Sequence, residues 1–219
     1  MALVDGVGCW RRTPARRDQF SGRPAVFLDR DGVVVAEVGY LGRPDDVELI
    51  DGAAQAIGEL NLAGVPVVLV TNQAGVARGY YDWAGFEAVQ DEVERRLLAL
   101  GARLDAVLAC GYHADGQGPL AAAEHPWRKP SPGMLLDAAE QMQLDLSRSW
   151  VAGDKAIDLA AGRAAGLAGG LHVATGHGAA SDERQAALAL ASAAFQVATA
   201  DALLAGVRSL GLTRRLVVG

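Results

Sequence analysis

Three things are scarce in this chain of 219 residues: cysteine, long apolar runs and net positive charge. Two cysteines, Cys9 and Cys110, are too few for a disulfide framework, so a reducing cytoplasm is the expected setting. No uninterrupted apolar run reaches the roughly 18 residues that a transmembrane helix needs. The opening Met1-Ala2-Leu3-Val4-Asp5-Gly6 lacks the basic-then-apolar layout of a secretory signal. A formal net charge of −6 argues against a nucleic-acid or membrane surface. What remains is ordinary globular material, 51% hydrophobic and 21% charged, long enough to bury a sizeable core in one domain. No internal repeat or low-complexity segment interrupts it.

One stretch organises the rest. Ala25-Val26-Phe27-Leu28 reads as a short buried strand that stops at Asp29-Arg30-Asp31-Gly32. Residues i and i+2 of a strand share a face, so Asp29 and Asp31 are expected together at its carboxyl end. Two carboxylates that close repel each other, and a divalent cation is the usual means of holding both beside an anionic ligand. A surface turn or the start of a calcium loop fits the same four residues taken alone.

Residues 1–23 read as a peripheral N-terminal extension, with the basic run Arg11 to Arg17 expected as a solvated lead-in rather than an anion-binding arm. Residues 33–51 suggest a small hairpin-like flap. Helical spacing covers 52–63, stopped by Gly64, and 82–100, where Phe86, Val89, Val93, Leu97 and Leu100 form one stripe. Further strands are expected at 65–73, 104–110, 150–154, 170–174 and 195–198, with a helix from Gly133 to about Gln143. The Ala-rich 179–194 reads as a helix or a mobile loop. Strands alternating with helices imply right-handed crossovers and a parallel sheet covered on both faces. Asp29, Asp31, Thr71, Asn72 and Asp154 then all fall at strand ends, where ligands of such sheets bind.

Four strings carry a resemblance: Asp29-Arg30-Asp31-Gly32, Thr71-Asn72-Gln73, Arg128-Lys129-Pro130 and Gly153-Asp154-Lys155-Ala156-Ile157-Asp158. In that order they resemble the four motifs of haloacid dehalogenase (HAD) phosphatases. More narrowly, residues 25 to 178 are similar to the D-glycero-D-manno-heptose 1,7-bisphosphate phosphatases and the histidinol-phosphate phosphatase domain. The resemblance implies a Rossmann-like α/β three-layer sandwich with a mostly parallel sheet and a minimal cap, residues 24–219 forming a single domain. It implies Asp29 as nucleophile, Asp31 as acid and base, and Thr71, Asn72 and Lys129 around the phosphoryl group. Mg2+ would be held by Asp29, Asp154 and the main chain of Asp31, with Asp158 orienting metal-bound water or Lys129. Arg78 and Arg128 are the candidates for a distal anionic group of the substrate.

Two departures from the family pattern stand out. Heptose phosphatases usually continue after the first motif with Thr-Ile-Asn, where this chain has Val33-Val34-Val35. Relatives also carry a zinc loop, of which Cys110, His113 and His125 remain while Tyr112 and Trp127 occupy ligand positions. Zinc is therefore not expected, and Tyr112 and Trp127 are the expected packing anchors of the loop. The expected partner is a small phosphorylated metabolite, with no nucleic acid and no membrane, acted on by a monomer. Two other readings compete: histidinol phosphate as substrate, and a non-enzymatic phospho-acceptor or scaffold domain, against which the intact Asp29, Asp31, Lys129 and Asp154 argue.

Overall fold

The computed structural model describes residues 3–13 and 17–215. Among the described residues, seven strands form one sheet: β1 (Cys9–Arg12), β2 (Val26–Leu28), β3 (Val67–Asn72), β4 (Ala106–Cys110), β5 (Trp150–Gly153), β6 (Gly169–Val173) and β7 (Gln196–Ala200). Their spatial order is β1-β4-β3-β2-β5-β6-β7, with β1 antiparallel to β4 and every other pairing parallel. The helices are α1 (Ala53–Leu62), α2 (Ala74–Ala77), α3 (Trp83–Ala99), α4 (Gly133–Met142), α5 (Ala156–Ala164), α6 (Ser181–Leu188), α7 (Leu203–Ser209) and α8 (Leu212–Arg215).

The period of two in the central strands divides the core into two layers. Val26, Leu28, Val67 and Leu69 face a cluster that includes Ile57 and Leu60 of α1, Phe86, Val89, Val93 and Leu97 of α3, and Val207 of α7. Phe27, Val68 and Val70 face the other way, onto Met134, Leu135 and Met142 of α4 and Leu159 of α5. Strands covered on both faces carry apolar residues without alternation, as Val67-Val68-Leu69-Val70 does. Each such side chain contributes about 1.5–3 kcal/mol by burial. The start of α3 follows local chemistry: Asp82 caps it by accepting the N–H of Gly85 at 2.8 Å. The result is the expected α/β sandwich, and no helix among the described residues is long and apolar enough to cross a membrane.

Between β2 and α1, residues 34–36 run antiparallel to 48–50 through Ala36 N–H to Glu48 O at 2.8 Å and Ile50 N–H to Val34 O at 3.0 Å. That is the hairpin-like flap, but its root is core, since Val33, Val34 and Val35 are fully buried. The Ala-rich segment resolves as helix α6.

The N-terminal segment differs from expectation. Instead of a solvated lead-in, Cys9–Arg12 extends the sheet as an edge strand, pairing Cys9 with Cys110 and Arg12 with Val107. Trp10 is buried edge-on to Phe86 and donates its indole N–H to Glu87 at 2.8 Å. Arg11 forks onto Asp137 at 2.6 and 2.7 Å, and Arg12 meets Asp91 at 2.8 Å and Glu94 at 3.0 Å. Buried Cys9 and Trp10 outweigh the basic run, because the Arg11 and Arg12 guanidinium groups find carboxylates while the chain joins the sheet. Pro14, Ala15 and Arg16 of that run lie outside the described residues.

Candidate active site

The carboxyl ends of β2, β3 and β5 bring the expected acidic and polar groups to one place. At the end of β2, Asp29 is 8% exposed and its Oδ1 accepts the N–H of Arg30 at 2.8 Å. The chain then turns, with Arg30 O accepting from Val34 and Val35 at 2.9 and 3.0 Å. Gly32 sits at φ +81°, and a Cβ there would lie 2.2 Å from Asp154 Oδ2, so only glycine allows this approach. Arg30, almost fully buried, grips the Asp31 carboxylate with Nε and Nη2, both at 3.1 Å. Burial raises the Asp31 pKa, and Asp29 and Glu37 add to it, while Arg30 opposes the rise.

Lys129 is the buried cation of the cluster. Its Nζ reaches Asp29 Oδ1 at 2.8 Å, Asp158 Oδ1 at 2.6 Å and the carbonyl of Val70 at 2.9 Å. Burial works against its charge, but Asp158 and Asp29 outweigh it and hold the ammonium above its ordinary pKa. The loop carrying Lys129 is fixed by Asn72, whose side-chain amide donates to Lys129 O at 3.0 Å and accepts from Lys129 N at 3.1 Å. Thr71 is buried beside it, its hydroxyl accepting from Gln73 Nε2 at 2.8 Å.

Asp154 follows β5 and is fully buried. Its Oδ2 accepts the main-chain N–H of His177 at 2.8 Å, whereas Oδ1 has no hydrogen-bond partner. Burial, reinforced by Asp29, pushes its pKa up to about 7. Burial likewise raises Asp158 to about 6 against the pull of Lys129, and Asp158 Oδ2 accepts the N–H of Lys155 at 3.1 Å. Carboxylate oxygens of Asp29, Asp154 and Asp158 all lie within 4.8 Å of one another. An orphaned buried oxygen and converging hard donors suit a divalent cation such as Mg2+. The side chain of Asp31 is not in this group, leaving its main chain as the candidate donor.

Of the distal candidates, Arg128 is half-buried, donates to Tyr112 O at 2.9 Å and has no carboxylate partner among the described residues. It lines a cavity of about 420 Å3 with Glu124, His125 and Ser131. Arg78 is engaged by Asp115 at 2.9 Å, by Tyr40 and by His113.

The three residues left of the zinc loop are not gathered into one group. Cys110 is buried in the core layer under α4, His113 Nδ1 accepts the N–H of Asp115 at 3.0 Å, and His125 Nδ1 accepts that of Trp127 at 3.1 Å. Packing contacts fasten this loop: the Tyr112 ring stacks on His125 at 4.0 Å and its hydroxyl donates to Asp5 at 2.7 Å. Asp5, Cys9 and His125 do approach within 4.8 Å, but Asp5 Oδ1 already accepts the N–H groups of Val7, Gly8 and Cys9.

Sequence reasoning missed Arg30, Gln73 and the loop after β6. Gln73 ties Thr71, Asp31 and Tyr81 together, accepting the Tyr81 hydroxyl at 2.6 Å. Thr175 donates to Gly32 O at 2.6 Å, and a Cβ on Gly176 would lie 2.4 Å from Asp154 Oδ2. Thr175-Gly176-His177 at the end of an apolar strand repeats the strand-then-polar pattern of the other motifs, and that was the available signal.

Comparison with known proteins gives one consistent answer. Residues 126–200 match the model of the HAD-hydrolase-like family. A D-glycero-beta-D-manno-heptose-1,7-bisphosphate 7-phosphatase of Mesorhizobium japonicum is 50% identical over 147 residues, 67% of this chain and 68% of that protein. The D-glycero-D-manno-heptose-1,7-bisphosphate 7-phosphatase of Thermosynechococcus vestitus is 48% identical over 160 residues, 71% and 81% of the two chains. Among solved structures, a putative HAD-like phosphatase of Mesorhizobium loti superposes with a TM-score of 0.76 at 45% identity, covering 78% of this chain and 82% of that one. The D,D-heptose 1,7-bisphosphate phosphatase of B. bronchiseptica, complexed with magnesium and phosphate, does so at 0.71 and 34%, covering 86% and 98%.

Proposed function

The chain belongs to the HAD-like phosphatases that include the D-glycero-D-manno-heptose-1,7-bisphosphate 7-phosphatases, and from that membership we propose that it hydrolyses a heptose bisphosphate through an aspartyl-phosphate on Asp29. The observation that carries the reading is the convergence of Asp29, Asp154 and Lys129 at the carboxyl ends of the central strands, with Lys129 Nζ 2.8 Å from Asp29.

Mg2+ would be held by Asp29, Asp154 and the main chain of Asp31, and when bound it supplies positive charge against the substrate's phosphoryl oxygens. The chain's own residues do the rest. Asp29, held by Arg30 N–H and Lys129, presents its second oxygen to phosphorus. Lys129 and the Thr71 hydroxyl offer donors to the equatorial oxygens. Asp31, whose pKa burial raises, gives its proton to the departing alkoxide and then takes one from the water that cleaves the acyl-phosphate. Asn72 acts through its grip on Lys129. Arg128 receives the second phosphate, because it is the arginine near the site without a carboxylate partner among the described residues.

A panel of purified phosphate esters compared by kcat/KM tests this. The expected result is that heptose 1,7-bisphosphate leads, that EDTA abolishes turnover and that magnesium alone restores it. Histidinol phosphate as the better substrate would overturn the substrate assignment while leaving the catalytic one standing.

A further inference from the structure

One hydroxyl beside the carboxylate cluster makes a distant bond in place of a local one. Thr175 stands at the start of a single 3-10 turn, Gly176–Ala179, where a threonine oxygen ordinarily accepts an N–H of the turn. It makes no such cap here. Its hydroxyl donates instead to the carbonyl of Gly32 at 2.6 Å, across 143 positions of sequence. Two residues on, the main-chain N–H of His177 holds Asp154 Oδ2 at 2.8 Å. Between them Gly176 approaches so closely that a Cβ there would meet both Asp154 Oδ2 and the Cα of Gly32. One short loop therefore touches both sides of the cluster, the turn after β2 and the acid after β5.

We infer that Thr175 is a positioning residue for the divalent cation: acting through Gly32, its hydroxyl fixes the Asp31 main-chain oxygen relative to the Asp154 carboxylate and so raises cation affinity. The Asp31-Gly32 peptide is trans and its N–H donates to Val35 O at 2.8 Å, so the Asp31 carbonyl points the opposite way. Neither that oxygen nor Asp154 Oδ1 accepts a hydrogen bond among the described residues, which leaves both for an ion. Gly32, at φ +81°, is the loosest joint of the turn. Within the turn the peptide after it is held by a long bond, Val33 N–H to Arg30 O at 3.4 Å. The short Thr175 bond stops that peptide from swinging, and it comes from the same loop that fixes Asp154. Mg2+ demands near-ideal octahedral oxygen geometry, so a donor free to swing weakens its binding. The inference rests on the cation site of the phosphatase reading and adds to it a residue outside the four motifs.

The test titrates the full chain, without substrate, with Mn2+ as the probe, following the electron paramagnetic resonance signal of the free aquo ion; Mg2+ is measured by competition. Thr175→Val removes the hydroxyl at nearly constant shape and should raise Kd about tenfold or more, within the range of about 10–100-fold for losing a partner that orients a metal ligand. Thr175→Ser keeps the hydroxyl and should stay within about twofold of wild type. Thr175→Ala should match Thr175→Val, and urea unfolding of each metal-free variant separates lost affinity from lost fold. An unchanged Kd in the valine and alanine variants, whatever their stability, would overturn the inference, since the hydroxyl would then serve the fold alone. An equal rise in Thr175→Ser would overturn it as well. A wild type that binds no Mn2+, or binds it no better than Asp154→Asn, would sink the cation site and this inference with it. A wild type that binds Mn2+ yet hydrolyses no phosphate ester would defeat the phosphatase reading and leave the Kd ratio to decide the role of Thr175.

Discussion

Replacing Asp158 by asparagine should reveal how much the buried ion pair beside Asp29 contributes. Both carboxylate oxygens are in use, Oδ1 at 2.6 Å from Lys129 Nζ and Oδ2 at 3.1 Å from Lys155 N. Asparagine has the same size but one acceptor, so its NH2 must face either the ammonium or the amide N–H, donor against donor. The side chain is 1% exposed, and no solvent can relieve the mismatch. Losing one hydrogen bond to a charged group is worth about 1.5–3 kcal/mol, and breaking a buried pair about 3–5 kcal/mol. Lys129 keeps Asp29 at 2.8 Å and Val70 O at 2.9 Å, which places the expected loss toward the lower range. We expect about 2–4 kcal/mol, measured by urea unfolding of the metal-free protein followed by tryptophan fluorescence. The measurement belongs at pH 7.5, above the value of about 6 to which burial raises Asp158, so that the wild-type carboxylate is ionised. Turnover should fall too, because Asp29 would then be the one carboxylate left to Lys129. A loss below about 0.5 kcal/mol with turnover intact would refute the reasoning.

Other outcomes follow from the same geometry. Asp29→Asn should fold normally and lose at least about three orders of magnitude in kcat, and near-normal turnover would exclude Asp29 as nucleophile. Arg128→Ala should lower kcat/KM for a sugar bisphosphate by about 2–4 kcal/mol in transition-state terms and much less for p-nitrophenyl phosphate. An equal loss on both substrates would place Arg128 at the phosphoryl group instead. Burial pushes the Cys110 thiol up to about 11 and Cys9 higher still, so neither should react with a thiol reagent at pH 8 until the protein is unfolded. Rapid native labelling would show that β1 opens.

The fold was legible because its central strands are covered on both faces and therefore announce themselves as unbroken apolar runs ending in polar residues. Asp29, Thr71 and Asp154 each close such a run, which is why three distant strings could be assigned to one site. β1 escaped because an edge strand of four residues with one buried tryptophan has no periodicity to read. Gln73 and Arg30 escaped for another reason: their role is to hold Asp31 and Thr71 in place, and a hydrogen bond between residues 43 positions apart leaves no local trace. The loop at Thr175-Gly176-His177 works through main chain and closeness of approach, which side-chain chemistry does not advertise.

The sheet order has a consequence for how the chain comes together during synthesis. β2, which leads directly into Asp29, lies between β3 and β5, and Val26 pairs with Trp150, 124 positions later. β1 precedes β2 in the chain, yet the strand it pairs with among the described residues is β4, with Cys9 set against Cys110. Closing loops of such length costs roughly 4 kcal/mol of chain entropy before any contact compensates. Until β4 is made β1 has no strand to pair with, and until β5 is made β2 keeps a bare edge, surfaces prone to wrong partners. The carboxylate cluster cannot assemble until Asp158 and the loop to His177 have been made, so the site closes only after β2, β3 and β5, the strands that carry it.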